Sequence, residues 1–300
     1  MKRIIQCVPN FSEGRDKNIK EKILLSAKKS SNAHIVDFTS DIDHNRSVLT
    51  LVGTPEQIVS SVVASAEVAV KMIDLNIHSG GHPRIGAVDV IPLVPLENIT
   101  MDETIEVSKE LASLIWEKLN LPVYLYEYSA QNPERRDLAK IRKGGFEFLR
   151  DNGLIDDRAA DFGNDKVHPT AGAVAVGARD PLIAFNVNLS TNSIEIANKI
   201  ASEIRYLRDS GKDMDGVKAI GVFLASRNIA QISLNITNTN KITIYHVYEY
   251  IKKRAEELGS SVLESELIGA LRTQSLIDSM IESFNIKGLN ANKVLDKYFN

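Results

Sequence analysis

The 300-residue sequence predicts an α+β protein made of two ferredoxin-like subdomains, each a β-α-β-β-α-β unit with its helices outside. Two observations carry this prediction. Short apolar runs alternate with stretches of helical period in the order strand–helix–strand–strand–helix–strand, and the same order returns after residue 180. The first strands of the two copies also end alike, in "VPNFSEG" and "VNLSTNS". The subdomain boundaries are set at 1–180 and 181–300.

In the first copy, "RIIQCVPN" reads as a short buried strand and "DKNIKEKILLSAKKS" as an amphipathic helix. "HIVDFTSD" and "NRSVLTLVG" alternate as a strand pair. A helix then starts at Thr54, with Pro55 at its first position and Gln57 placed for a capping box, and "AVDVIPLVPL" closes the copy as a strand. Two further helices are expected, "MDETIEVSKELASLIWEKL" and "NPERRDLAKIRKGGFEFLRDN", with the strand "PVYLYEYS" between them. A polar loop, "DFGNDKVHPTAGAVAVGARD", leads into the second copy. There the elements are "PLIAFNVNLS", the helix "IEIANKIASEIRYLRDS", the pair "VKAIGVFLAS" and "IAQISLNIT", the helix "ITIYHVYEYIKKRAEEL" and the strand "SSVLESELIG". A short helix, "NANKVLDKYFN", is expected at the end. With helices on one face of each sheet, the other faces are open to each other, and a ligand is expected in the groove between them.

A net charge of −3 argues against nucleic acid or an anionic membrane as a bulk partner. The only cysteine, Cys7, lies in an apolar strand and fits a reducing compartment. No signal peptide or membrane-spanning run is visible, so a cytoplasmic protein is expected.

The densest chemistry is in "NIHSGGHPRIGAVDVIPLVP", residues 76–95. Gly80 and Gly81 are expected to allow positive φ and close approach to a ligand. Pro83 holds His82 in an extended backbone, and an imidazole titrating near neutrality can take or give a proton. Arg84 offers a planar fork for a carboxylate, and Asp89 is placed to orient an imidazole nitrogen. His78 and His82 lie four apart, but the glycines and Pro83 forbid the helix that would turn both toward one metal. No metal is therefore expected.

The run "HSGGHPRIGAVDVIPLVP", with "VPNFSEG", "NRSVLTLVG", "PVYLYEYSA", "VGARDPLIAFNVNLS" and "AIGVFLASRNIAQISLNI", closely resembles the glutamate formiminotransferases, in order and up to about residue 270. The resemblance implies two α/β subdomains with facing sheets and folate in the groove. It implies transfer of a formimino group between N5 of tetrahydrofolate and the amine of glutamate, in histidine degradation and one-carbon metabolism. It places the catalytic histidine on His82, draws Arg46 to the site as a carboxylate anchor, and puts a folate-binding loop on Gly163, Asn164, Asp165, Lys166, Val167, His168, Pro169, Thr170, Ala171 and Gly172.

In this reading His82 and Asp89 are the catalytic pair, with His82 as the base that becomes the acid. Arg84, Arg46, Gly80 and Gly81 bind substrate, and tetrahydrofolate serves as the one-carbon carrier. Formyl transfer from 5-formyltetrahydrofolate to glutamate is the nearest alternative. A metal-dependent hydrolase using His78, His82 and Asp89, and a non-catalytic folate-binding module, are the rivals from other classes. Glutamate and folate are the expected partners, with a homodimer as a candidate assembly and neither nucleic acid nor membrane involved.

Overall fold

Pro9 splits the opening apolar run into two short strands, β1 (Ile4–Cys7) and β2 (Asn10–Phe11), in the computed structural model, which describes residues 2–298. Proline has no N–H for the ladder, so the break falls there. There follow α1 (Lys17–Ser30), β3 (His34–Asp41), β4 (Arg46–Gly53), α2 (Pro55–Met72) and β5 (Val88–Glu97). β1 and β2 share one lane between β4 and β5, and β3 pairs outside β4, all antiparallel. The chain continues through α3 (Met101–Leu119), β6 (Val123–Leu125), α4 (Leu138–Ile141), α5 (Gly145–Asn152) and β7 (Val174–Ala178). β7 adds to β5 in parallel, and β6 to β7, giving a seven-stranded sheet.

By its internal contacts the chain divides into Met1–Asp180 and Pro181–Asn300. The second unit runs β8 (Ile183–Leu189), α6 (Ile194–Asp209), β9 (Val217–Leu224), β10 (Ile229–Ile236), α7 (Ile244–Glu257), β11 (Val262–Ile268) and α8 (Thr273–Phe284). Its four strands lie in the antiparallel order β9-β10-β8-β11. That is the lane order β3-β4-β1/β2-β5 over again, so the repeat seen in the sequence is a repeat of topology. Each sheet has its own core. Ile5, Leu49, Leu51 and Leu93 pack against Ile23, Ile58 and Leu111 of the helices, while Phe185, Val187 and Ile232 pack against Ile200, Ile204 and Ile251. A further cluster in the first unit joins Val90, Tyr124 and Ala175 to Ile141 and Leu149 of α4 and α5. No described helix is long and apolar enough to cross a membrane.

The capping box at Thr54 and Gln57 forms as expected, and Thr100 and Glu103 form another at the start of α3. Three expectations need correction. The stretch 161–180 is not all loop: "VAVGA" is β7, a fully buried strand. The helix expected over 132–152 is broken. Gly144 and Gly145 take φ of +86° and +69°, which a helix interior cannot contain, so α4 ends at Ile141 and α5 starts afresh at Gly145. The terminal stretch 290–300 forms two short 3₁₀ turns, Ala291–Lys293 and Leu295–Tyr298, with its last two residues outside the described ones. The terminal α-helix is α8, further upstream.

Candidate active site

The site is built where the β3–β4 turn meets the loop before β5. Asn45, at φ +48°, closes that turn and holds three strands of chain together. Its Oδ1 accepts from Gly14 N (2.9 Å), its Nδ2 donates to Ser79 O (2.9 Å), and its carbonyl accepts from His78 Nε2 (3.1 Å). Gly81 N donates to Asp43 O (3.0 Å). The role expected for the two glycines is corrected here. Neither has positive φ, and Gly80 lies against the turn: a Cβ there would stand 2.4 Å from His44 O and 2.8 Å from Asn45 Cβ. Gly80 lets the loop and the turn dock, without the positive φ expected of the pair. Gly80→Ala should therefore cost about 1–3 kcal/mol, because backbone atoms must move. Gly81→Ala meets only Asp43 O at 3.6 Å and should melt close to the parent protein. Thermal melts of the two variants check this, and equal melting temperatures would contradict it.

His44, Arg46, His78, His82, Arg84 and Asp89 line one pocket. His82 is partly exposed, and its Nδ1 lies 2.8 Å from the carbonyl of Pro83. A carbonyl only accepts, so Nδ1 carries the proton and Nε2 keeps its lone pair. Burial, then the positive charges of Arg46 and Arg142, hold His82 well below the usual imidazole value of 6.5. The His44 ring stands 6.1 Å from it, centroid to centroid. His82 is thus a neutral base with one open nitrogen. Its ring, followed by NMR in the free protein, should titrate well below 6.5, and a midpoint at or above that value would contradict the geometry.

Asp89 does not orient it. Its Oδ1 accepts from Ile85 N (2.9 Å) and its Oδ2 from Arg142 Nη2, so both oxygens are engaged away from His82. Arg84 is likewise engaged by protein groups in this structure. Glu147 of α5 takes its fork at 2.7 and 3.1 Å, and its Nε donates to His78 Nδ1 (2.9 Å). This fixes His78 as well, since both ring nitrogens now have protein partners.

Arg46 is different. Its side chain donates to no group among the described residues, and its Nε is buried without an acceptor. Burial, with Arg142 adding to it and Asp89 opposing, brings its pKa down to about 10, so it stays charged at neutral pH. Sequence reasoning missed Arg142, Glu147 and His44. The first two lie in the stretch 132–152, whose Gly-Gly pair is the signal of a break; His44 lies buried in the β3–β4 turn, where no pattern in the sequence marks it as buried.

The loop 163–172 lies alongside this site. Leu75 N donates to Thr170 O (2.8 Å) and Asn76 Nδ2 to Pro169 O (3.0 Å), and Gly172 bridges to Gly86. Its residues are not equally available. Gly163, Asn164, Asp165, Lys166 and Pro169 are exposed, whereas Ala171 and Gly172 are buried and Val167 packs on the core. His168 Nδ1 accepts from Ala171 N (3.1 Å) and closes the turn. Ala171 and Gly172 thus sit in the framework of the loop, beneath its exposed residues.

The fold and the pocket together define a two-unit α+β protein with a neutral histidine beside an unpaired cation in its first unit. Two family models match. The N-terminal subdomain of the formiminotransferase domain covers residues 4–179, and the formiminotransferase domain covers residues 184–293. The chain is 46% identical to the glutamate formimidoyltransferase of Streptococcus pyogenes serotype M1, over 93% of this chain and 92% of that one. It is 40% identical to the glutamate formimidoyltransferase of Thermoplasma acidophilum, over 98% and 96%. It is also 36% identical to the Rattus norvegicus formimidoyltransferase-cyclodeaminase, over 93% of this chain and 52% of that protein. The chain belongs to the formiminotransferase family.

Proposed function

We propose that this protein is a folate-dependent glutamate formimidoyltransferase, moving a formimino group between N5 of tetrahydrofolate and the glutamate amine. The names of its relatives support the reaction, and the observation that carries it is the open Nε2 of a neutral His82 beside the unpaired Arg46. Arg46 takes a carboxylate of glutamate and sets the amine near His82. Nε2 removes a proton from the amine as its nitrogen bonds to the formimino carbon. The resulting imidazolium then gives that proton to N5 as the carbon–N5 bond breaks, so one group serves as base and acid. The exposed residues of the 163–172 loop, from Gly163 to Lys166, support a place for the folate beside it. The buried Cys7 supports a reducing, cytoplasmic setting, and the substrates fit one-carbon metabolism fed by histidine degradation.

The test is to incubate 5-formimino- and 5-formyltetrahydrofolate separately with glutamate and the protein and to identify the products. Formiminoglutamate with free tetrahydrofolate is expected. His82 does not distinguish C=NH from C=O, so slower formyl transfer is expected too. A faster formyl donor would reverse the assignment, and turnover of neither would leave a folate-binding protein.

A further inference from the structure

Arg46 is unpaired although a carboxylate lines the same pocket. Asp89 acts on Arg46 electrostatically but makes no hydrogen bond with it. The reason lies with Arg142, from the turn between α4 and α5. Its Nη2 binds Asp89 Oδ2, Ile85 N binds the other oxygen, and the Asp89 side chain is 3% exposed. Each Asp89 oxygen is thus already committed to a partner that fixes the carboxylate in place, and no Arg46–Asp89 hydrogen bond forms among the described residues. Among the charges around His82, Arg84 is neutralised by Glu147 and Arg142 by Asp89, which leaves Arg46 as the positive charge without a partner.

We propose that Arg142 is a positioning residue: by holding Asp89 in a buried ion pair it keeps Arg46 from collapsing onto that carboxylate and leaves it open to the carboxylate of the amino-acid acceptor. This rests on the reading of the site as a glutamate-using transferase. A buried cation without a partner is costly, so a pocket that keeps one must prevent the nearest carboxylate from taking it. The Arg142–Asp89 pair does so, and an incoming carboxylate then gains the full charge-assisted contact.

The test is a pair of variants, Arg142→Met and the double variant Arg142→Met/Asp89→Asn. In the single variant Asp89 loses its partner and captures Arg46. The KM for glutamate should rise about tenfold or more, with kcat changed less. The His82 titration should move upward, because one cation has gone and an anion remains. In the double variant the amide still accepts from Ile85 N but cannot hold Arg46 as a carboxylate would, so KM should return most of the way. A purely structural role for Arg142 would leave the double variant no better than the single one, and that result overturns the proposal, as does an unchanged KM in Arg142→Met. Where Arg142→Met does not fold, Asp89→Asn alone gives the complementary reading. Arg46 should then stay open and KM near the parent value, and a large rise would count against the proposal. Failure of the parent protein to use glutamate at all would overturn the transferase reading instead. The His82 titration in the same variants, read by NMR without substrate, would still report whether Asp89 is released.

Discussion

His82→Ala is expected to lower kcat for formimino transfer by about 10²–10⁴-fold, the usual loss when a general acid–base is removed. The fold should survive, because the ring is partly exposed and its one hydrogen bond goes to the neighbouring residue's carbonyl. Folate binding should survive too, since the 163–172 loop is held by Leu75, Asn76 and Gly86 and owes nothing to the imidazole. Stopped-time assays of product, with folate affinity and a thermal melt as controls, check all three. Turnover near that of the parent protein would remove His82 from the mechanism.

Arg46→Met should act in opposite directions on function and stability. The KM for glutamate is expected to rise by about ten- to a hundredfold, the worth of a charge-assisted hydrogen bond in a partly buried pocket. The melting temperature should rise by a few degrees. The guanidinium makes no hydrogen bond among the described residues and its Nε is buried without an acceptor, so methionine removes a desolvation cost and breaks no contact seen there. Kinetics and calorimetry on one preparation decide it, and a destabilised variant would show that Arg46 has a structural partner.

Much of the fold was legible because local signals agreed with the global pattern. The capping box at Thr54, the periods of the helices and the alternating strand pairs all mark elements that are present. β7 escaped because it is buried on both faces: "VAVGA" shows no alternation, and it follows a glycine-containing polar loop. α8 carried no start signal, since its N-cap is Arg272, which makes no side-chain cap. In the candidate site, the sequence pointed to a loop, and to His82 and Arg46, which the structure brings into one pocket. The sequence could not tell which arginine is unpaired. Arg84 finds Glu147 and Arg142 finds Asp89, 63 and 53 residues away, and such pairings are set by the sheet and leave no trace in spacing. For the same reason Asp89, near His82 in sequence, turns to Arg142 in space.

The two strands added beyond β5 also bear on how the protein behaves in a crowded solution. A ten-residue strand such as β5, left at the border of a sheet, would offer a long row of N–H and C=O groups to any other chain. Here the row tapers: β7 has five residues and β6 has three. What remains is then capped from within. Val123 N donates to Phe162 O (2.8 Å), Asp161 N donates back to Val123 O (2.9 Å), and Leu125 N donates to the Asp161 carboxylate (2.8 Å). A stray strand arriving at this side finds almost no backbone group to bind, so this border of the sheet is closed to intermolecular β-pairing and to the aggregation that begins with it.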